Sequence, residues 1–403
     1  MEQKPHEVTI AIETVKKILG NPLIRLFLKI IICRDRCGDR LSLAIDLFFS
    51  PNSNKKICWK CKLTSKIIGW VIKKCIKLFE VEEEIIKKAF SKPSFKRGLA
   101  SVLKGISQYG ISLPQQLYAP FLVVWNITNL CNLKCQHCYQ NAAKPLPDEL
   151  TTEEAKNLID QLSEAGVVVL AFSGGEPLMR KDFFEIAQYA QKKDLYVALA
   201  SNGTLITEEM AKKLKRGNIE YIEISLDGKD AATHESFRGM PGIFEKAVKG
   251  IKNCLRVGIS PCIAATITQH NYHQISGIYE LACQLGVERL ICFNFIPTGW
   301  GYDIINQDLR PEQRQKLLEF LIDKTYSGKI DALSTAPQIA QVAIEKEKGV
   351  PVCHLAVGKK VFGKTKALAE FLGGCGAGRV QCSINPNGDV QPCVFLPIKT
   401  GSI

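Results

Sequence analysis

The sequence contains no apolar run long enough to cross a membrane. Its longest runs, Leu26–Ile32 and Ile67–Ile72, are far shorter than the roughly 20 residues of a spanning helix, and lysines interrupt or flank them. The residues after Met1 carry mixed charge and no apolar signal-peptide core, so we expect a cytoplasmic protein. A disulfide framework is therefore not expected for the 16 cysteines, and metal or cluster ligation becomes the leading interpretation.

Acidic residues are scarce near the beginning of the chain. Residues 1–115 hold 22 Lys and Arg against 10 Asp and Glu, whereas the remaining residues hold 31 against 30. Nearly all of the net charge of +13 therefore lies in the first segment. This imbalance indicates either an acidic partner, such as a nucleic acid, an anionic lipid or a carboxylate-rich substrate, or simply a solvated lysine-rich surface.

The chain of 403 residues, 46% hydrophobic and 23% charged, predicts a globular protein of two or three domains. Helical patterns dominate residues 1–115. Strand-like runs then occur at 121–128, 167–173, 196–201, 221–226, 261–267 and 290–296. Helical segments alternate with them near 152–164, 182–192, 207–217, 243–256, 275–285 and 311–326. This alternation predicts an α/β fold, a partial (β/α)6 barrel over 116–330, with a bridging and cysteine-rich region at 331–403.

Three cysteines follow the first predicted strand on one loop. Cys131, Cys135 and Cys138 are separated by three and then two residues, in Cys131-Asn132-Leu133-Lys134-Cys135-Gln136-His137-Cys138. Three thiolates spaced in this way can reach three irons of a [4Fe–4S] cubane and leave the fourth iron open. A zinc site with a remote fourth ligand is the alternative that the spacing alone leaves open.

These cysteines, with Asn129 before and Tyr139 after them, resemble the CxxxCxxC signature of the radical S-adenosylmethionine (SAM) superfamily. Further matches follow successive predicted strands, where the active sites of such barrels lie. Gly174-Gly175-Glu176-Pro177 resembles the family's GGEP loop, and its paired glycines let backbone approach a ligand closely. The resemblance implies that SAM is bound there, with its methionine ammonium near this loop.

Polar residues end the next two strands. Ser201-Asn202 and Ser225-Leu226-Asp227 would face the ribose and carboxylate of SAM, and Arg238 in the resembled family reaches the carboxylate. A surface arginine at a helix is the structural alternative. Asn271 and the segment 295–299 match weaker family positions around the adenine.

The C-terminal cysteines resemble the start of a SPASM module, which carries auxiliary [4Fe–4S] clusters. Cys375 is followed by Cys382, an Asn387-Gly388 hairpin turn and Cys393. The resemblance implies an auxiliary [4Fe–4S] cluster, with Cys353 as a candidate fourth ligand. Purely structural cysteines remain the alternative. The sequence departs from the module's pattern because it ends at Ile403, before further cysteines. Either the chain is truncated there, or the module is reduced to one cluster.

Two short-spaced cysteine pairs lie in the basic segment. Cys33 and Cys37, with Cys58 and Cys61, could form a tetrahedral zinc or iron site, an electron-transfer site or free thiols. Cys75 and the cysteines at 254, 262, 283 and 292 are predicted to be core residues. The lysine-bearing stretch Ile67–Phe79 could lie on a membrane surface, although packing of its apolar face against the barrel is the preferred interpretation.

The resemblance implies reductive cleavage of SAM to methionine and a 5′-deoxyadenosyl radical, which takes a hydrogen atom from a substrate. It also implies an electron donor such as a ferredoxin or flavodoxin. Peptide or protein modification is the favoured reaction; oxidative decarboxylation of a porphyrin side chain and lipid modification are alternatives. The non-enzymatic alternative is an iron–sulfur or zinc scaffold that binds nucleic acid, but it would leave the SAM motifs unexplained.

Overall fold

The computed structural model describes residues 13–14, 16–17, 19–32, 34–35, 38–49, 58–79, 83–219, 221–346 and 374–403. These residues belong to two compact units. The first comprises residues 1–122, 161–169 and 361–380, and the second comprises 123–160, 170–360 and 381–403. The boundaries between the units fall within three elements, Leu122–Thr128, Thr152–Ala165 and Val169–Gly174, which lie mainly in the second unit.

The first unit is mainly helical, as the sequence predicts. Its helices and short hairpin, in chain order, are α1 (Pro22–Ile32), β1 (Arg34–Asp35), β2 (Gly38–Asp39), α2 (Arg40–Phe49), α3 (Trp59–Phe79), α4 (Glu83–Phe90) and α5 (Pro93–Tyr109). Buried aliphatic side chains from four of these helices share one core. They are Leu28 and Ile31 of α1, Leu41, Ala44 and Ile45 of α2, Ile68 of α3, and Ala100, Leu103 and Ile106 of α5. The antiparallel pair β1–β2 was not predicted, because two-residue strands carry no readable periodicity.

The second unit contains most of the sheet. Its elements begin with β3 (Leu122–Thr128), α6 (Thr152–Ala165), β4 (Val169–Gly174), α7 (Phe183–Lys192), β5 (Tyr196–Ser201), α8 (Glu208–Arg216), β6 (Tyr221–Ser225), α9 (Ala231–Arg238) and α10 (Ile243–Arg256). They continue with β7 (Cys262–Ile267), α11 (Ile275–Leu285), β8 (Arg289–Asn294), α12 (Pro311–Ser327), β9 (Asp331–Ser334), α13 (Ile339–Glu345), β10 (Gln381–Ile384), β11 (Asp389–Gln391) and β12 (Gly401–Ser402). Short 3-10 segments occupy Pro177–Met179, Tyr272–Gln274 and Gly299–Gln307.

The strands form one open sheet in the order β12-β11-β10-β3-β4-β5-β6-β7-β8-β9. Strands β5 to β9 pair in parallel, with registers such as Ala198↔Tyr221 and Cys262↔Arg289. The helical crossovers between them confirm the predicted α/β class. Their carboxyl ends therefore lie along one edge of the sheet, where the polar motifs of the sequence fall.

The sheet extends beyond the six predicted strands at both ends. Strand β9 pairs in parallel with β8, but its four residues are too few for alternation to be recognised in the sequence. At the other end, β10 and β11 pair antiparallel around Gly388, whose φ of +87° suits a glycine. This hairpin confirms the predicted Asn387-Gly388 turn, and β10 joins the sheet beside β3.

Two glycines of α5 provide a matched test of the packing in the helical unit. A Cβ at Gly105 would lie 2.6 Å from the carbonyl oxygen of Gln116, whereas one at Gly98 would lie 3.1 Å from a ring carbon of Phe121. Alanine gains about 1 kcal/mol of helix propensity at either position. We expect Gly98→Ala to leave the free energy of unfolding within about 1 kcal/mol of wild type. Gly105→Ala should lower it by about 2 kcal/mol, because the backbone must move.

Circular dichroism during urea unfolding measures both variants. Because both substitutions are Gly to Ala within one helix, propensity cancels between them. Equal stability of the two variants would contradict the close approach of α5 to residues 116–118.

Candidate functional site

The three cysteines of the predicted cluster motif lie on the loop that follows β3. Each is partly buried. Backbone N–H groups point at two of the sulfurs: that of Leu133 lies 3.5 Å from Cys131 Sγ, and that of Ala142 lies 3.5 Å from Cys138 Sγ. N–H···S hydrogen bonds of this kind are a feature of thiolate-ligated iron–sulfur clusters, where they tune the reduction potential.

The sulfur of the third cysteine, Cys135, lies beside a positively charged hydrogen-bond donor. Arg238 Nη1 lies 3.7 Å from Cys135 Sγ. Burial raises the pKa of Cys135 to about 12, although the positive charge of Arg238 opposes the rise. Burial likewise raises the pKa of Cys131. As free thiols both would be protonated at neutral pH, whereas a metal deprotonates its thiol ligands outright.

The donor set fits an iron–sulfur cluster better than a single ion. In the part of the chain that the structure describes, no three His, Cys, Asp or Glu side chains converge closely enough to hold one metal ion. A cubane does not need such convergence, because each cysteine binds a different iron. Three soft donors on one loop, two with N–H partners and one with a guanidinium partner, are chemically suited to that group.

A carboxylate that sequence reasoning missed fixes the start of this loop. Glu149 accepts hydrogen bonds from the backbone N–H of Asn129 at 2.6 Å and of Leu146 at 3.0 Å. Its other oxygen accepts from Thr128 Oγ1 at 2.9 Å. Glu149 lies in an irregular segment some twenty residues from the strand it braces, so no local pattern could have identified it.

The paired glycines after β4 bring two loops of the site together. A Cβ at Gly174, whose φ is +120°, would lie 2.5 Å from the carbonyl oxygen of Thr128. At Gly175 a Cβ would overlap the carbonyl oxygen of Leu130. The N–H groups of Gly175 and Glu176 donate to these same two carbonyls, each at 2.8 Å. The glycines thus allow a close approach to the backbone that leads into the cysteine loop, whereas the sequence analysis expected them to approach a ligand.

The carboxylate of Glu176 is completely buried and braces the end of β5. One oxygen accepts from Ser201 Oγ at 2.9 Å, and the other accepts from the N–H of Asn202 at 2.8 Å. The N–H of Leu178 donates to it as well, at 3.2 Å. Burial raises the pKa of Glu176 to about 7, although these donors favour the ionised form. Asn202 Nδ2 in turn donates to Asn132 Oδ1 at 2.8 Å, which links β5 to the cysteine loop.

A buried ion pair joins the end of β6 to α9. Arg238 Nε donates to Asp227 Oδ2 at 2.5 Å, and Asp227 Oδ1 accepts from the N–H of Thr266 at 2.8 Å. Burial alone would raise the pKa of Asp227, but the charge of Arg238, which also donates a hydrogen bond to it, holds the pKa below its usual value. The arginine is therefore an interior group of the site, and the surface alternative for Arg238 is wrong.

Two imidazoles and a phenyl ring stack beside the cysteine loop. The ring of His137 lies 4.0 Å from that of Phe237 with an interplanar angle of 16°, and His270 lies beyond Phe237 at 5.4 Å. Burial lowers the pKa of His137 to about 3, so the ring is neutral. Within the described residues its Nδ1 is buried without a hydrogen-bond partner. This stack could not be predicted from the sequence, because its members are far apart in the chain.

Asn271 and the segment 295–299, the weaker matches to the family, lie in different surroundings. The Asn271 amide donates to the carbonyl oxygens of Asp227 and Thr266, and its Oδ1 accepts from the N–H of Thr268. All these contacts are made within the chain, so Asn271 braces the loop after β7. Gly299 lies against the carbonyls of Cys138 and Tyr139, and the N–H of Trp300 donates to Cys138 O at 2.9 Å. The segment after β8 therefore reaches the cysteine loop, while Ser225 ends β6 and is partly buried.

The remaining predicted ligands are only partly within the described residues. Cys382 lies on β10 with its pKa raised to about 11 by burial, and Gln381 Nε2 lies 3.9 Å from Cys393 Sγ. Cys375 is exposed. The sulfurs of Cys58 and Cys61, at the start of α3, are 3.4 Å apart. Cys33, Cys37 and Cys353 lie outside the described residues.

No helix in the described ranges is long and apolar enough to span a membrane.

Comparison with known proteins places this geometry in a family. The model of the radical SAM superfamily matches residues 125–282. The chain is 35% identical over 287 residues to an AdoMet-dependent heme synthase of Methanosarcina barkeri, covering 71% of this chain and 80% of the relative. It is 35% identical over 282 residues to the mycofactocin maturase MftC of Mycolicibacterium smegmatis, covering 69% and 65%.

Solved structures show the same fold. The SuiB structure from Streptococcus suis, bound to the precursor peptide SuiA, aligns with a TM-score of 0.61 at 16% identity, covering 91% of this chain and 79% of that one. SuiB bound to S-adenosylmethionine aligns with a TM-score of 0.59 at 18% identity, covering 90% and 78%. Family model, relatives and fold agree, and the chain belongs to the radical SAM superfamily, a family of enzymes whose cofactors are a [4Fe–4S] cluster and SAM.

Proposed function

We propose that Cys131, Cys135 and Cys138 hold the [4Fe–4S] cluster of this enzyme and that SAM binds at its open iron. The observation that carries the proposal is the contact of Arg238 with Cys135, because it joins the cysteine loop to the polar ends of the strands. Bound there, the cluster would supply the electron for reductive cleavage of SAM, and SAM would supply the 5′-deoxyadenosyl radical that takes a hydrogen atom from the substrate.

The chain's own residues hold this arrangement. Arg238 places positive charge beside Cys135, which favours the thiolate, and Asp227 fixes the guanidinium. In this proposal Arg238 also attracts the SAM carboxylate, while Gly174, Gly175 and Pro177 shape the surface near the methionine ammonium. Ser201, Asn202 and Ser225 are the proposed polar partners of SAM at the ends of β5 and β6. Glu176 is proposed as a positioning residue, since its carboxylate already accepts hydrogen bonds from Ser201 and Asn202 at the end of β5.

The other metal sites are proposals of the same kind. An auxiliary [4Fe–4S] cluster bound by Cys375, Cys382 and Cys393 is supported by the hairpin β10–β11, which carries Cys382 and leads into Cys393. A zinc or iron site in the helical region is supported by the 3.4 Å separation of Cys58 and Cys61. A ferredoxin or flavodoxin is the proposed class of electron donor. The division at residues 115 and 330 also stays a prediction.

For the substrate, an iron porphyrin is the stronger candidate. Three relatives named AdoMet-dependent heme synthase are 33–36% identical, and the chain covers 76–80% of each. A fourth, named Fe-coproporphyrin III synthase, is 42% identical over 205 residues. We therefore place oxidative decarboxylation of a porphyrin side chain ahead of the peptide modification that the sequence alone favours. Peptide modification remains the second candidate, because MftC proteins are 33–35% identical over 282 residues.

The first prediction concerns the two proposed clusters. Cys135→Ala should abolish 5′-deoxyadenosine formation by anaerobically reconstituted protein reduced with dithionite, because one iron of the SAM-binding cluster loses its thiolate. The double variant Cys382→Ala/Cys393→Ala should still cleave SAM but contain about four fewer irons per chain, the content of one cubane. Iron analysis and chromatography of the nucleoside products measure both effects.

Cys254→Ala is the matched control. Cys254 is a completely buried cysteine of α10, so its loss tests thiol removal alone and should leave iron and turnover unchanged. SAM cleavage by Cys135→Ala would contradict the assignment of the main cluster. Unchanged iron in the double variant would contradict the auxiliary cluster.

The second prediction uses the titration of Glu176, whose pKa of about 7 is raised by burial. Burial disfavours the charged carboxylate, so the folded state favours the protonated form of Glu176. The contribution of Glu176 to stability is therefore largest below the unfolded pKa of 4.5 and is lost as the pH rises through about 7. SAM binding should show the opposite trend, because the ionised carboxylate accepts from both Ser201 and Asn202. We expect affinity for SAM to fall as the pH drops below about 7.

Glu176→Gln should weaken SAM binding about tenfold, since its amide turns a donor toward the N–H of Asn202 and leaves a buried group unsatisfied. It should also remove the pH dependence while iron content is retained. Calorimetric titration of the cluster-loaded protein with SAM measures both. Glu164→Gln, on the surface of α6, is the charge-matched control. A pH profile that is identical in wild type and Glu176→Gln would contradict the role of Glu176.

The third prediction tests the substrate class. An iron porphyrin that bears propionate side chains should accelerate 5′-deoxyadenosine formation, and mass spectrometry should detect a porphyrin product that has lost carbon dioxide. Metal-free porphyrin of the same structure is the control for nonspecific binding. If the iron porphyrin neither accelerates SAM cleavage nor changes in mass, while SAM is still cleaved slowly without substrate, the porphyrin proposal fails and the SAM-cleavage proposal survives.

A further inference from the structure

Helix α3 presents its bulkiest apolar side chains to solvent. Trp59, Leu63 and Trp70 are 69%, 50% and 55% exposed, whereas the small polar Thr64 and Ser65 are buried. Ile68 and Ile72 of the same helix pack in the core of the helical unit, so α3 carries apolar side chains toward solvent as well as toward the core. A soluble helix gains nothing from such an arrangement, so the exposed side chains call for another explanation.

The packing of α3 against α2 fixes this orientation. A Cβ at Gly69 would overlap two ring carbons of Phe48, so the two helices meet closely along this line. Ile68, next to Gly69, belongs to the buried core of the helical unit. Rotating α3 to bury Trp59 and Trp70 would remove Ile68 from that core. The exposed face is therefore a stable feature of the fold.

The exposed apolar residues share one narrow stripe with lysines. At 100° per residue, six exposed side chains of α3 fall within an arc of about 80°. This α3 outer face consists of Trp59, Leu63, Lys66, Trp70, Lys73 and Lys77. Helix α3 contains no acidic residue, and Lys74 Nζ lies 4.2 Å from the ring centroid of Trp70 at the margin of the stripe.

We propose that the α3 outer face docks on a membrane surface that contains anionic phospholipids. Tryptophan and leucine suit the boundary between headgroups and acyl chains, and lysines between and beside them suit lipid phosphates. The charge is complementary, because residues 1–115 carry 22 basic against 10 acidic residues. A nucleic acid would also attract the lysines, but Leu63 between Trp59 and Lys66 offers nothing to a phosphate backbone. The proposal is independent of the substrate.

The test uses the full chain and two kinds of vesicle. The protein should sediment with vesicles of phosphatidylcholine and phosphatidylglycerol, and far less with vesicles of phosphatidylcholine alone. Binding should weaken as NaCl is raised, because lysine–phosphate attraction is screened. Tryptophan fluorescence should shift to shorter wavelength on binding, since Trp59 and Trp70 leave water whereas Trp125 is already buried.

Charge removal provides the sharper comparison. Lys66→Gln/Lys73→Gln/Lys77→Gln should lower the partition coefficient about hundredfold, given that each lysine near an anionic surface contributes about fivefold. The matched control is Lys246→Gln/Lys249→Gln/Lys252→Gln, which removes the same charge from three exposed lysines of α10. This control should bind nearly as well as wild type.

The apolar residues are tested without any change of charge. Trp59→Gln/Leu63→Gln/Trp70→Gln should abolish the fluorescence shift and most of the sedimentation. Ile344→Gln/Ile398→Gln, which alters two exposed apolar residues elsewhere, should change neither. Unaltered far-ultraviolet circular dichroism and SAM cleavage verify that each variant is folded.

Three results would overturn the proposal. The first is equal sedimentation of the lysine variant and its α10 control. The second is absence of vesicle binding together with salt-sensitive binding of a single-stranded oligonucleotide that is lost in the apolar variant. The third is absence of vesicle binding together with a dimer in solution that the apolar variant converts to monomer.

Discussion

The buried ion pair between Asp227 and Arg238 is the interaction on which the geometry of the site depends. Asp227 lies just after β6 and accepts from the backbone N–H of Thr266 in β7, while Arg238 ends α9 and reaches Cys135. Two strands, one helix and the cysteine loop are thereby joined through four charged or polar groups. Removing one partner from a buried pair typically costs about 3–5 kcal/mol, because the other charge is left uncompensated. This free-energy cost is large because both charged groups are buried. The same burial holds the Arg238 guanidinium beside the sulfur of Cys135.

Glu176 shows why the environment of a carboxylate matters more than its identity. Both Glu176 and Asp227 are completely buried, yet the pKa of Glu176 is raised to about 7 and that of Asp227 is lowered. The difference is the partner: Asp227 contacts a guanidinium, whereas the partners of Glu176 among the described residues are a hydroxyl and backbone N–H groups. One acid therefore carries a permanent charge beside the cysteines, and the other can change its charge near neutrality.

The positions of the strands, and of the cysteine loop after β3, could be predicted from the sequence because they depend on local patterns. Strand β5 was located to the residue, since a short apolar run bounded by polar residues is readable by itself. Glu149 and the stack of His137 on Phe237 could not be found, because each contact joins residues that are distant in the chain. Strand β9 was missed for lack of length. Local periodicity thus identifies helices and strands, whereas contacts between residues distant in the chain become visible only in the folded structure.

Helix α3 shows the limit of pattern reading most clearly. Its sequence mixes lysines, tryptophans and aliphatic residues around the whole helix, so apolar residues alone cannot decide which face is inward. The structure decides through Gly69, where the absence of a side chain admits the ring of Phe48 and directs Trp70 outward. A small residue therefore selects the buried face by allowing close approach, against the gain from burying two indoles. In solution the free energy of burying the two indoles is not gained. It would be gained when α3 docks on an apolar surface, and the lysines of the same face favour a surface that carries negative charge.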